Sequence, residues 1–132
     1  MAKAKKVKQI TFTMPNRVGL LSEITQAVSD ANVNILGIYA YEMGETAHFA
    51  MITDSIAKTK KALSSIGLEA HEEEVVSVEM PNKVGELKKV AQKISDAGIN
   101  IEYVYGTTSS GKSSICVFKT SDNRKAIRVI NK

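Results

Sequence analysis

Met14-Pro15-Asn16-Arg17-Val18-Gly19 returns 66 residues later as Met80-Pro81-Asn82-Lys83-Val84-Gly85, and this echo decides how the chain is read. Carried outward without gaps, residues 14–41 match residues 80–107 at 13 positions, among them Gln26/Gln92, the Ser-Asp-Ala runs at 29–31 and 95–97, and Tyr39/Tyr105. Most other pairs exchange like for like, as in Ile24/Val90, Val28/Ile94 and Ile38/Val104. Half of the chain is a divergent copy of the other half.

Within each copy the hydrophobic periods change in a fixed order. Ile10, Phe12 and Met14 alternate with Gln9, Thr11 and Thr13, the pattern of a half-buried strand. Beyond the Pro and Gly, the spacing becomes helical: Leu21, Ile24, Val28 and Ala31 in the first copy, Leu87, Val90, Ile94 and Ala97 in the second. Asn32 and Gly98 stand at equivalent helix ends, and both residue types tolerate the left-handed conformation that stops a helix. Ile35 to Tyr41 and Thr46 to Thr53 read as strands joined by a hairpin over 42–45. A second helix is expected from Ser55, its N-cap, to Ile66, with Ile56, Thr59, Leu63 and Ile66 inward and Gly67 as the stop. The next strand is expected from Leu68. The order β-α-β-β-α-β makes the fold α+β: two ferredoxin-like repeats, each an antiparallel sheet with its helices on one face.

No Gly, Pro or Asn falls between Glu69 and Met80, so the last strand of the first copy is expected to run straight into the first strand of the second. In the second copy Ser113 to Lys119 match the third strand and Ser121 to Ile130 the second helix, and no last strand follows. The repeats are assigned to residues 1–74 and 75–132. The strandless edge this leaves predicts a homodimer or larger assembly.

Composition excludes several classes of function. The net charge of +4 is concentrated in Lys3, Lys5, Lys6 and Lys8, which read as a solvated, frayed tail, so a nucleic-acid partner is not expected. No segment has the length and apolarity of a membrane span, and the first residues lack a signal-peptide apolar stretch, so a cytoplasmic location is expected. A single cysteine, Cys116, rules out an internal disulfide; it aligns with Ala50, a core position. His71 and Glu73 alternate with Glu72 and Glu74 to opposite faces and read as a solvated polar strand, and no zinc spacing or Gly-rich phosphate motif occurs, so neither metal nor cofactor is expected. Tyr39, Tyr41, Tyr103 and Tyr105 fall on one face of the second strands and read as surface or interface packing. No nucleophile and base constellation emerges, and the chain is read as a non-enzyme.

The elements Asn16-Arg17-Val18-Gly19-Leu20-Leu21 and Asn32-Val33-Asn34-Ile35, with Asn82-Lys83-Val84-Gly85-Glu86-Leu87 and Gly98-Ile99-Asn100-Ile101, resemble the ACT domain family of amino-acid-sensing regulatory modules. The resemblance implies a small-molecule ligand held by the loop before the first helix and by the residues ahead of the second strand. Carried over, these are Asn16, Val18, Gly19, Leu20, Asn34 and Ile35 in the first copy, and Asn82, Val84, Gly85, Glu86, Asn100 and Ile101 in the second. Met14 and Met80 stand where some of those modules carry a histidine, and Val18 and Val84 where proline is usual, which favours an apolar or aromatic amino acid over serine. Such modules regulate an enzyme, so a partner enzyme is implied.

The chemistry of the residues is compatible with this. A loop entering a helix offers unpaired N–H groups to a carboxylate, and Asn serves both charges of a zwitterion without adding its own. Each Asn equally serves as a helix or turn cap. Two other readings stay open: an RNA-binding sheet of the same strand order, against which the third strands lack paired exposed aromatics with a basic flank, and a purely structural pairing module.

Overall fold

The computed structural model describes residues 1–108 and 111–132. The elements run β1 (Lys3–Pro15), α1 (Leu20–Asp30), β2 (Ile35–Met43), β3 (Thr46–Thr53), α2 (Ile56–Ser65), β4 (His71–Pro81), α3 (Glu86–Asp96), β5 (Ile101–Thr108), β6 (Ser113–Thr120) and α4 (Asn123–Ile130). They form two compact units, one of Lys8–Glu73 and the other of Met1–Val7 with Glu74–Lys132.

In the first-copy unit the strands hydrogen-bond in the order β2-β3-β1-β4, with β3 antiparallel to both β1 and β2. Phe12 pairs with Phe49, and their rings stack with centroids 4.9 Å apart. Around them Ile10, Ile24, Val28, Met51 and Leu63 are fully buried. The helix stripe begins one residue earlier than its spacing suggested. Leu20, Ile24 and Val28, an i, i+4, i+8 set, face the core, while Leu21 is 53% exposed. Likewise Ile66 lies beyond the end of α2, 39% exposed, and Ala62 takes its place inside. Asn32 (φ 59°) and Gly67 (φ 83°) adopt the left-handed conformation where the sequence called for it.

The second-copy unit repeats this with the order β1-β4-β6-β5. Val76, Val78, Val90, Ile94, Phe118, Ala126 and Ile130 form its core. β4 is one strand from His71 to Pro81, as the absence of breakers required, though it begins at His71 and not at Leu68. α4 is the last element of the described residues, and the neighbour of β4 is the start of β1. Lys3–Val7 belongs to this unit, Ala4 is buried in its core, and the Asn131 side chain bonds both backbone groups of Ala4. The lysine-rich start is therefore a strand and not a frayed tail. Small Ala2 and Ala4 alternate with Lys3 and Lys5, which reads as a strand pattern once Ala is counted as an inward residue. The edge on which the expected dimer was argued is thus filled from within the chain.

The acidic run is paired and not merely solvated. Glu72 meets Lys60 at 2.9 Å and Lys8 at 3.5 Å, Glu73 accepts from the Gln9 amide at 2.9 Å, and Glu74 meets Lys6 at 3.6 Å. Cys116 pairs with Val78, whose counterpart Phe12 pairs with Phe49. It corresponds to Phe49 and not to Ala50, because the second hairpin is one residue longer and shifts the offset to 67.

Candidate functional site

The four helices of the described residues start in two different ways. α2 opens at Ser55, whose hydroxyl accepts from the Lys58 N–H at 3.2 Å, and α4 opens at Asp122, whose carboxylate accepts from the Lys125 N–H at 3.0 Å. α1 and α3 open at Gly19 and Gly85, with φ of 86° and 87° and no side-chain cap. A side chain at either glycine would be strained, since only glycine adopts this conformation freely. The Leu20 and Glu86 N–H groups donate back to the carbonyls of Arg17 and Lys83. The next two N–H groups of each helix, at Leu21 and Ser22 and at Leu87 and Lys88, have no acceptor among the described residues. Each of these starts therefore presents free donors and the positive end of the helix dipole.

A groove of about 300 Å³ opens at the start of α1. It is lined by Asn16, Arg17 and Gly19 of the loop, Leu20 and Leu21 of α1, Ala40, Tyr41 and Glu42 of β2, and Ala47 and Phe49 of β3. The equivalent groove at α3, about 240 Å³, is lined by the 80–83 loop, Glu86, Leu87, Gly106, Ser114 and Cys116. The helices and hairpins set these positions alike, but the chemistry differs. The Asn16 side chain has no hydrogen-bond partner among the described residues, whereas the Asn82 amide donates to the Gly111 carbonyl at 3.2 Å. Leu20 is 4% exposed, while its counterpart is the carboxylate of Glu86, 2.8 Å from Lys89. The hydrogen bond from Lys89 holds that carboxyl below its ordinary range. The stacked Phe12 and Phe49 give way to Val78 and Cys116, and a Cβ on Gly106 would stand 2.6 Å from the Cys116 sulfur. Burial pushes the Cys116 thiol above its usual pKa, opposite to what a nucleophile needs.

The residues expected to bind ligand fall into separate groups. Asn16, Gly19 and Leu20 meet in the first groove, and Asn82 and Glu86 in the second, where Gly85 starts the helix. Val18 and Val84 project fully into solvent. Asn34 and Asn100 lie at the far ends of β2 and β5. Asn34 exchanges bonds with Asp54, and Asn100 with Ser121. Ile35 packs on the first core and Ile101 on the second. Ile35 pairs with Thr53, whereas the groove residue Glu42 pairs with Ala47, so roughly 20 Å of strand separates Asn34 from Asn16 within the unit. The residues of the first groove not foreseen are Arg17, Leu21, the end of β2, and Ala47 and Phe49 of β3. Leu21/Leu87 is an identity of the repeat, but the helical spacing assigns both leucines to the inward stripe, and only their exposure of 53% and 49% sets them at the grooves.

On the sheet face away from the helices the Tyr41 and His48 rings stack at 4.8 Å, Tyr39 lies 5.3 Å from Tyr41, and Tyr103 stacks on Tyr105 at 6.5 Å. Among the described residues no three His, Cys, Asp or Glu side chains gather as metal ligands, and no helix is long and apolar enough to cross a membrane.

Comparison with known proteins agrees with this architecture. The structure of protein BT0572 from Bacteroides thetaiotaomicron is 27% identical over 97% of this chain and 88% of that one, with a TM-score of 0.89. The ligand-free regulatory subunit of aspartate kinase from Thermus thermophilus has the same fold at 20% identity and a TM-score of 0.70, over 94% of this chain and 90% of that one. That subunit from Thermus flavus follows at 19% identity and a TM-score of 0.67, over 98% and 94%. No curated protein matches the sequence. The ACT domain profile matches residues 8–66 and again 75–132. With both copies matched, and with each copy carrying the strand, glycine-started helix and hairpin just described, the chain belongs to the ACT domain family as a tandem ACT domain protein, in a family of ligand-binding regulatory modules.

Proposed function

We propose that this chain is a non-catalytic regulatory module that binds a free amino acid with an apolar or aromatic side chain in the groove at the start of α1. The observation that carries the reading is the contrast in capping: α2 and α4 are capped by Ser55 and Asp122, whereas α1 opens uncapped into a groove beside the free amide of Asn16. The open N–H groups suit the ligand carboxylate, the Asn16 amide and the Glu42 carboxylate suit its ammonium, and Leu20, Leu21, Ala47 and Phe49 suit its side chain. A volume of about 300 Å³ is at the small end of ligand pockets and favours a metabolite of this size over a nucleotide.

The second groove is the weaker candidate. Asn82 is already engaged, and the Glu86 carboxylate occupies the first turn of α3, where a ligand carboxylate would meet it with like charge.

A homodimer through the free edge of β2 completes the proposal. Leu21, Leu36 and Ile38 are 53%, 62% and 39% exposed beside that edge. At the edge formed by β5, Glu102 replaces Leu36, so the first copy is the better apolar surface. Antiparallel pairing of two β2 strands about Ile38 and Tyr39 sets the Asn34 of a second copy level with Met43, at the end of the groove. This gives Asn34 a place in the site that one unit does not. The response to ligand passes to a partner enzyme.

A thermal-shift screen of the twenty amino acids tests the proposal. A ligand at about 100 times its Kd adds roughly 2.7 kcal/mol and raises the melting temperature by several degrees. A transition that no amino acid moves contradicts it.

A further inference from the structure

Charge is segregated between the two units. The unit of residues 8–73 has five Lys and Arg against eight Asp and Glu, net −3, whereas the unit of residues 1–7 and 74–132 has thirteen against six, net +7. Part of the excess gathers on α4 and beside it. Ala126 and Ile130 turn inward, and Arg124 and Arg128, one turn apart, are exposed on the opposite side. Lys132 continues that row, and Lys93 donates to the Ile130 and Lys132 carbonyls from α3. Lys3 and Lys5 alternate with the inward Ala4 and so lie on the sheet face away from α4, outside this row. α4 contains no Asp or Glu beyond its N-cap Asp122, and neither Arg124 nor Arg128 has an ion pair among the described residues.

We propose that this basic face, built by Arg124, Arg128 and Lys132 along α4 with Lys93 beside them, binds the phosphate backbone of nucleic acid without reading base sequence. A protein partner needs a buried apolar or aromatic anchor inside its ring of charge. Among the described residues the exposed large apolar side chains of this unit, Met1, Val84, Leu87, Val104 and Ile115, are all off α4. A duplex, with one charge per about 1.7 Å of axis, needs no such anchor and rewards dense cations by releasing counterions. The same argument disfavours the net −3 unit of a second copy as the occupant. The sequence sum concealed the face, because the acidic unit cancels most of it.

Fluorescence anisotropy of the full chain with a labelled mixed-sequence DNA duplex, and with its single strand, tests the inference. Binding is expected at about 50 mM salt and should fall by a factor of a hundred or more by about 200 mM. Arg124→Glu with Arg128→Glu should weaken it at least tenfold and make the log–log salt slope shallower by about 2. Lys58→Glu with Lys61→Glu on α2 should change neither. Arg124→Gln with Arg128→Gln gives the same direction if the reversal unfolds the unit. Absence of binding at low salt, equal losses from both helix pairs, or displacement by polyglutamate at matched charge each overturns the proposal. The last result would assign the face to an acidic protein.

Discussion

The side-chain amide of Asn131 holds both backbone groups of Ala4: its Oδ1 accepts from the Ala4 N–H at 2.7 Å, and its Nδ2 donates to the Ala4 carbonyl at 2.9 Å. Asn131, next after α4, thereby fixes the first strand, and the start of β1 completes the sheet of the second-copy unit. Asn131→Ala removes two part-buried hydrogen bonds, so a loss of about 1–2 kcal/mol is expected in denaturant unfolding. Amide exchange should accelerate first over Lys3 to Val7. Unchanged protection of those amides would show that the strand is held by other means.

Acid should weaken the first-copy unit through Glu72. Its hydrogen bond and ion pair with Lys60, assisted by Lys8, hold its pKa below the ordinary 4.5. A carboxyl depressed in the folded state binds protons more readily when unfolded. Its contribution is therefore complete above the unfolded value and is lost as pH falls through the folded one. Glu72→Gln should flatten the decline of stability below about pH 5 while changing the neutral-pH value little, as is usual for exposed pairs. Parallel acid limbs for the two proteins would argue against this role.

The offset of 66 residues carried most of the fold, because a repeated strand, glycine, helix and hairpin constrain one another. What it did not carry has specific causes. Ala2 and Ala4 are too small to mark a strand among four lysines, so the completing strand was read as a tail. Leu20 and Leu21 are adjacent, and spacing alone does not say which of them turns inward; burial selects Leu20 and leaves Leu21 at the groove. Asn16 was legible as a groove residue because it directly precedes the helix start. Asn34 was not placed, since its motif says nothing of the length of β2 that separates the two asparagines.

Association through β2 is checked by sedimentation. Wild-type protein should be dimeric at micromolar concentration, and Leu36→Lys with Ile38→Glu, 62% and 39% exposed, should be monomeric with an unchanged far-UV circular dichroism spectrum. A wild-type chain that stays monomeric at high concentration excludes the β2 interface and with it the placement of Asn34 beside the groove.

The central claim is that an amino acid occupies the uncapped start of α1, and isothermal titration calorimetry with the amino acid selected by thermal shift tests it most directly. The account predicts one ligand per chain for the wild type and at least tenfold weaker binding for Asn16→Ala, whose amide has no structural partner to lose. Replacement of Glu86 by Leu, the residue of the first copy, should admit a second ligand at the start of α3. Two ligands in the wild type would contradict the inequality of the grooves, and undiminished binding by Asn16→Ala would contradict the site itself.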